Sequence, residues 1–238
     1  MASSTGARSL TERVYACLRS DILAGRFAPG QRLRPSELAG INGVSLNVVR
    51  ESLNRLAGEG LVIASPQQGF AVMTVSVADL ADLTAVRVLV ETAALRRSIE
   101  QGDLAWESAL VAAHHRLANT PMTNTADPED ITDDWMHAHN AFHVATMCGC
   151  GSPRLIEIAA NLGGSAAMYR HVSRRYDHDQ RDVAGEHRAI FEATVARDAD
   201  LACRLHGEHI ARTADIVTRA LAEQELAAHE PDQKSASA

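Results

Sequence analysis

Several things that would mark other kinds of protein are scarce or missing in this 238-residue sequence. No apolar run approaches the ~18 residues that a membrane-spanning helix requires, and the start, MASSTGARSL, lacks the apolar centre of a signal peptide. A cytoplasmic chain with no membrane partner is therefore expected. Cysteine is sparse. Cys17, Cys148, Cys150 and Cys203 form no paired spacing of the zinc-ribbon kind, and Cys148-Gly149-Cys150 alone is weak support for metal or redox work, so buried thiols are expected. There is no internal repeat and no nucleophile motif. Histidine is absent from the first part of the chain: all eleven lie at position 114 or later.

What is present divides the chain the same way. A hydrophobic content of 46% is enough to build real cores. The net charge of −7 argues against nucleic acid only if it is spread evenly. Residues 1–75 carry eight arginines against five acids, a balance of +3, while the remainder carries fifteen basic and twenty-five acidic residues, a balance of −10. The basic end is the candidate DNA-facing end.

Within that end, Gly43 to Leu56, GVSLNVVRESLNRL, predicts a helix from Leu46. Asn42-Gly43 is a turn signal and Ser45 an N-cap whose hydroxyl can accept from a free first-turn N–H. At about 100° per residue, Val49, Leu53 and Leu56 share an apolar face, while Asn47, Arg50 and Asn54 point away from it. Ahead of it, a helix from Leu10 to Ala24 opens on the capping box Ser9-Leu10-Thr11-Glu12, carries Val14, Leu18 and Ile22 on one face, and is expected to close on Gly25. Pro35 starts a short helix that ends near Gly40. Leu61–Ala64 and Phe70–Val75 read as two strands joined across Ser65-Pro66-Gln67-Gln68-Gly69. Together these make a winged helix-turn-helix over residues 1–75.

From Ser76 the pattern becomes long, Ala-rich and helical in period. We expect an all-α bundle of six to seven helices over 76–228, with helices near 78–100, 103–118, 129–148, 152–176, 180–196 and 199–226, and a loop at 119–128. The polar residues 229–238 read as a disordered tail. The fold class is mainly α.

Residues 10–75 resemble the N-terminal domain of the GntR family of bacterial transcription regulators. The resemblance is carried by Ile22-Leu-Ala-Gly25, Pro29-Gly-Gln-Arg-Leu33, Glu37-Leu-Ala39, Val44-Ser45, Val49-Arg-Glu51, Leu56, Glu59-Gly-Leu61 and Gly69, which are specific in combination. The second segment resembles the helical ligand-binding domain of the FadR-like branch, of FCD type, through Arg87 and Glu91, Phe142-His143, Glu186-His187 and His209. The resemblance implies a homodimeric repressor, no enzyme, that binds a pseudo-palindromic DNA operator under control of a small effector. By resemblance the helix from Leu46 enters the major groove and the wing around Gln68 and Gly69 touches DNA beside it. Arg50 is suited to guanine O6 and N7; Ser45 and Asn47 can meet bases or phosphates, and Arg34 meets a phosphate or is a solvated surface arginine. Family members commonly carry arginine where this chain has Ser36 and Leu46. Leu46 can touch a thymine methyl but cannot donate to guanine, so an altered operator is expected.

The histidines have a pattern of their own. His139 and His143 are four apart, one turn along a helix face. His187 and His209 each lie eleven residues from Asp198, so in an antiparallel hairpin turning at Asp198-Ala199-Asp200 they reach one height, roughly 16 Å from the bend. Spacing and resemblance point together to a metal held by His139, His143, His187 and His209. Relatives commonly have an acid or amide where His139 stands, and an all-imidazole set suits Zn best, with Ni, Co or Cu possible, over Mg or Ca. Neutral ligands leave the ion's charge uncompensated, which favours an anionic effector, an organic acid, aided by Arg87; the alternative for Arg87 is an i,i+4 ion pair with Glu91. His206 is a second-layer residue or a bystander. A metal-dependent hydrolase is the competing reading, with Glu186 as its only offered base.

Overall fold

A computed structural model of the chain describes residues 9–23, 26–66, 68–74, 76–124, 131–176 and 181–229. The expected helix stop at Gly25 lies outside these residues, as do residues 230–238 of the tail expected over 229–238, whose first residue, His229, instead ends the last helix. The described residues form two compact units that meet in sequence at Val75 and Ser76.

The first unit contains α1 (Leu10–Leu23), β1 (Arg32–Leu33), α2 (Pro35–Asn42), α3 (Leu46–Gly58), β2 (Val62–Ser65) and β3 (Gly69–Val72). The periodicity explains its core: Val14, Leu18 and Ile22 of α1 and Val49, Leu53 and Leu56 of α3 are all buried. Ser9 caps α1 by accepting from the Glu12 amide at 3.1 Å, while the Glu12 carboxylate pairs with Arg55 at 2.7 Å and so ties α1 to α3. Ser52, buried in α3, donates at 2.9 Å to the Val48 carbonyl one turn back. The sheet is antiparallel in the order β1-β3-β2, with Ser65 opposite Gly69 and Leu33 opposite Phe70. β1 was not anticipated, because two residues are too short to display a period. Gly69 sits at φ +84°, a conformation that a side chain disfavours, so the wing turn needs glycine there.

The second unit is all-α: α4 (Val77–Gln101), α5 (Leu104–Ala118), α6 (Asp133–Met147), α7 (Pro153–Ser165), α8 (Ala167–Arg175), α9 (Val183–Val195) and α10 (Ala199–His229). Side-chain caps define where most of them begin. Ser76, Asp103, Thr132, Ser152 and Asp182 each accept from an amide three residues on. Those caps explain why α6 and α9 start at 133 and 183, later than expected from period alone. The single helix expected over 152–176 is two, broken at Ala166. Gly163 and Gly164 weaken the helix just before the break, and Arg170 donates to the Gly163 carbonyl at 3.1 Å. The bend between α9 and α10 falls at Ala196–Asp198, slightly ahead of the expected position, with Arg197 at φ +60° and Asp198 capping α10 through the Leu201 amide at 3.0 Å.

Leu95, Ile99, Trp106, Leu110, Phe142 and Ile190 form the centre of this unit's core. The Trp106 indole donates to the Ala145 carbonyl at 2.8 Å, so its burial leaves no orphan N–H. The expectation of buried thiols holds for Cys150 and fails for Cys17 and Cys148, which are exposed. Cys17 lies off the buried stripe of α1 and makes a 3.8 Å contact with Asp21 on the same helix. No helix among the described residues is long and apolar enough to cross a membrane.

Candidate metal centre and nucleic-acid interface

The four histidines singled out by spacing converge inside the second unit. His139 and His143 come from α6, His187 from α9 and His209 from α10, and all four are buried. One ring nitrogen of each lies within 4.8 Å of the others. The His143 Nε2 is 3.2 Å from His139 Nε2 and 3.3 Å from His187 Nε2. Each nitrogen of a neutral imidazole carries either one hydrogen or one lone pair, so His143 Nε2 can make one good hydrogen bond of these two contacts and not both. A cation among them removes that conflict, and the donor set fits one. Burial pushes His139, His143 and His209 well below the ordinary histidine range, with neighbouring positive groups adding to it. Burial likewise carries His187 down to about 3. The rings are therefore neutral at pH 7, the form in which imidazole ligates a metal.

Two carboxylates flank the cluster: Glu91, which the sequence offered only as an ion-pair partner of Arg87, and Glu186, which it offered only as a hydrolase base. Glu186 Oε2 lies 2.8 Å from His209 Nδ1. Glu91 Oε2 lies 2.9 Å from His206 Nε2, and Arg87 Nε donates to Glu91 Oε1 at 2.7 Å. Burial would raise the Glu91 carboxyl, but the Arg87 guanidinium and His206 hold it down at about 2. Glu186 behaves alike: burial opposes its charge, and Arg181 and Arg212 bring its carboxyl below the usual range. The i,i+4 pair between Arg87 and Glu91 was legible as an alternative, whereas the bond to His206, 115 positions away, was not. His206 is wholly buried, with its Nε2 against Glu91.

A cavity of about 260 Å³ adjoins the histidines and is lined by Arg87, His139, Asn140, His143 and Arg170, among others. Arg170 and His139 also line a smaller cavity of about 40 Å³ on the side of His209. Arg170 donates to the Asn140 side-chain carbonyl at 3.1 Å. Among the remaining histidines, His114 stacks on Phe191 at 4.2 Å between ring centroids, His115 and His137 are exposed, and His178 and the side chains of His171 and His229 lie outside the description.

The Glu186 carboxylate is occupied by Arg181, Arg212 and His209, so it is not the free base that a hydrolase would need.

In the first unit, Arg34, Ser45, Leu46, Asn47, Arg50, Gln68 and Gly69 are all exposed. Val49, Leu53 and Leu56 anchor the opposite face of α3, so Asn47 and Arg50 stand free of the core. Arg50 has no ion pair among the described residues, whereas Arg34 pairs with Glu37 at 2.8 Å on the surface. Ser45 occupies the N-cap position with extended backbone, but its hydroxyl makes no capping bond, contrary to expectation. Leu46 is 41% exposed, and Ile41, which sequence reasoning passed over, is 80% exposed at the end of α2.

Comparison with known proteins follows the division into units. Residues 10–72 match the bacterial regulatory proteins of the gntR family, and residues 82–212 match the FCD domain. An HTH-type transcriptional regulator, BphR, of Paraburkholderia xenovorans is 34% identical over 210 residues, covering 88% of this chain and 86% of its own. The HTH-type transcriptional repressor GlaR of Escherichia coli is 30% identical over 212 residues, covering 87% and 96%. Among solved structures, E. coli McbR/YncC shares the fold with a TM-score of 0.66 at 21% identity, over 90% of this chain and all of that one. A GntR transcriptional regulator of Rhodococcus sp. RHA1 aligns with a TM-score of 0.62 at 25% identity, over 90% and 99%.

Proposed function

The chain belongs to the GntR family of bacterial regulatory proteins, with an FCD domain as its second unit, and on that premise we propose a metal-dependent sensor of a small organic acid that controls DNA binding. It is a DNA-binding transcription regulator and not an enzyme. The observation that carries the finer reading is the convergence of four buried, neutral histidines beside a cavity of about 260 Å³. His139, His143, His187 and His209 hold a divalent transition metal, Zn in first place and Ni or Co after it, because imidazole ligands suit these ions. When bound, such an ion supplies a Lewis-acidic position for one carboxylate oxygen.

The chain's own residues do the rest. The cavity between α4, α6 and α7 accommodates the acid's carbon skeleton. Arg87, lining that cavity, and the effector carboxylate are of opposite sign, although Arg87 already shares its charge with Glu91. Arg170 offers a second guanidinium on the same wall.

On the DNA side, Arg50 and Asn47 read base edges, Leu46 packs against a thymine methyl, Ser45 and Arg34 meet the backbone, and Gln68 and Gly69 place the wing. One short helix touches few base pairs, so a homodimer on a pseudo-palindromic operator is the working form in the cytoplasm. The relative GlaR is named a repressor, which favours the same role here. Effector binding shifts the population between arrangements of the two winged units, of which one spans both half-sites.

The test is bound metal by elemental analysis in the wild type and in His143→Ala, beside gel shifts on the protein's own upstream DNA with organic acids added. We expect about one ion per wild-type chain and little in the variant, and an acid response that disappears once the metal is stripped. Negligible metal in both proteins, or an identical acid response without metal, overturns the metal reading and leaves the DNA-binding one standing.

A further inference from the structure

Glu186 stands beside His187 in sequence, yet neighbours on a helix leave it about 100° apart. His187 turns into the cluster, and Glu186 turns to α10. There its Oε2 meets His209 Nδ1 at 2.8 Å. Arg181 grips the same carboxylate with Nε at 2.8 Å and Nη2 at 2.5 Å, and Arg212 donates to Oε1 at 2.7 Å. Arg181 also donates to the His209 carbonyl at 2.8 Å and to Thr213 at 2.9 Å, so the carboxylate is anchored to α10 independently of the imidazole.

A bare lone pair on Nδ1 facing a carboxylate oxygen at 2.8 Å would be repulsive. Nδ1 therefore carries the ring proton and donates it, and in a neutral imidazole the proton-free atom is then Nε2. The nearby Arg181 Nη2, 3.1 Å from Nδ1, spends its hydrogens on the carboxylate and the His209 carbonyl. The other three rings have no such partner among the described residues. His143 Nδ1 is buried without any hydrogen bond, and His139 Nδ1 has only Asn140 at 3.5 Å.

We propose that Glu186 is the positioning residue of the four-histidine centre: it locks His209 as the Nδ1–H tautomer and so presents Nε2 as a ready ligand. The inference rests on the metal reading above. An orienting carboxylate behind a ligating histidine sets the ring's angle and basicity, and its loss costs about 10–100-fold in metal affinity. A Gln side chain can offer either its carbonyl or its amide to Nδ1 and no longer imposes one tautomer; Ala imposes none.

The experiment uses full-length, metal-stripped wild type, Glu186→Gln, Glu186→Ala and, as a control that trims the carboxylate's far side, Arg212→Ala. Nitrogen-15 NMR of the imidazoles reads the His209 tautomer, and Zn titration against a chromophoric chelator reads affinity. We expect a pure Nδ1–H tautomer in wild type and Arg212→Ala, a mixture in both Glu186 variants, and Zn affinity lowered about 10–100-fold in those two alone. If Glu186→Ala does not fold, the near-isosteric Gln variant carries the result. An Nε2–H tautomer in wild type, or unchanged Zn affinity in a folded Glu186 variant whose tautomer has changed, overturns the proposal. Absence of Zn binding by wild type would remove the metal reading instead, while the tautomer measurement would still decide whether Glu186 is the clamp.

Discussion

Arg87 is the residue on which two readings of the same geometry diverge, and a double-mutant cycle separates them. Its side chain is 9% exposed and that of Glu91 2%, with Nε and Oε1 2.7 Å apart. If Arg87 is chiefly the counter-ion of a buried carboxylate, Arg87→Met leaves Glu91 charged in a low-dielectric interior with His206 alone beside it. Glu91→Leu leaves the guanidinium equally stranded. Breaking a buried pair from one side costs about 3–5 kcal/mol, whereas replacing both members by apolar groups of similar volume is near neutral. For a unit of this size about 2–4 °C in midpoint accompanies each kcal/mol, so each single variant should melt roughly 6–20 °C below wild type, and the double variant should recover most of the summed loss, short of wild type by the roughly 1–3 kcal/mol that His206 Nε2 costs once Glu91 is gone. Thermal and urea unfolding of the metal-stripped protein reads this directly. Single variants within about 1 kcal/mol of wild type, or a double variant equal to the sum of the singles, would refute the counter-ion argument and return Arg87 to the effector alone.

Three further outcomes follow from the same structure. Arg50→Ala should weaken operator binding by about 1–3 kcal/mol and relax preference at one base pair, while Arg34→Ala, whose charge is already shared with Glu37, should weaken all sequences alike and by less; binding isotherms on operator and scrambled DNA check this. Acid should destabilise the metal-stripped protein: burial lowers His139, His143, His187 and His209, so the stability tied to their neutral form is present above the unfolded histidine value near 6.5 and falls away below it. Glu91, held at about 2, adds a loss in the same direction between its ordinary value of 4.5 and 2, so a urea midpoint that stays flat from pH 7 to 4 contradicts this account. Gly102→Ala should cost about 1–3 kcal/mol, because a Cβ there would lie 2.2 Å from the Trp106 ring and 2.5 Å from the Ser98 carbonyl; equal chemical-denaturation midpoints would show that the ring moves aside freely.

Much of this architecture was legible in the sequence because it depends on local rules. Apolar period placed Val14, Leu18 and Ile22 on one face of α1 and Val49, Leu53 and Leu56 on one face of α3, and those residues are the buried ones. The four-residue step from His139 to His143 and the matched distances of His187 and His209 from Asp198 are helix geometry, so convergence could be anticipated even though the bend falls earlier than expected. Charge asymmetry marked the basic unit without reference to its fold.

The tertiary structure alone decided the outer partners. Glu186 to His209 and Glu91 to His206 cross 23 and 115 positions, and such contacts depend on how helices are rotated and packed against each other, which no period records. The same holds for Ser45, which stands where an N-cap belongs yet makes no capping bond, and for the break at Ala166, where two glycines and a reaching Arg170 outweigh a continuous helical pattern. Local propensity specifies the elements; the angle at which they meet specifies which polar groups share the interior, and a buried donor or acceptor is satisfied only by what that angle brings to it.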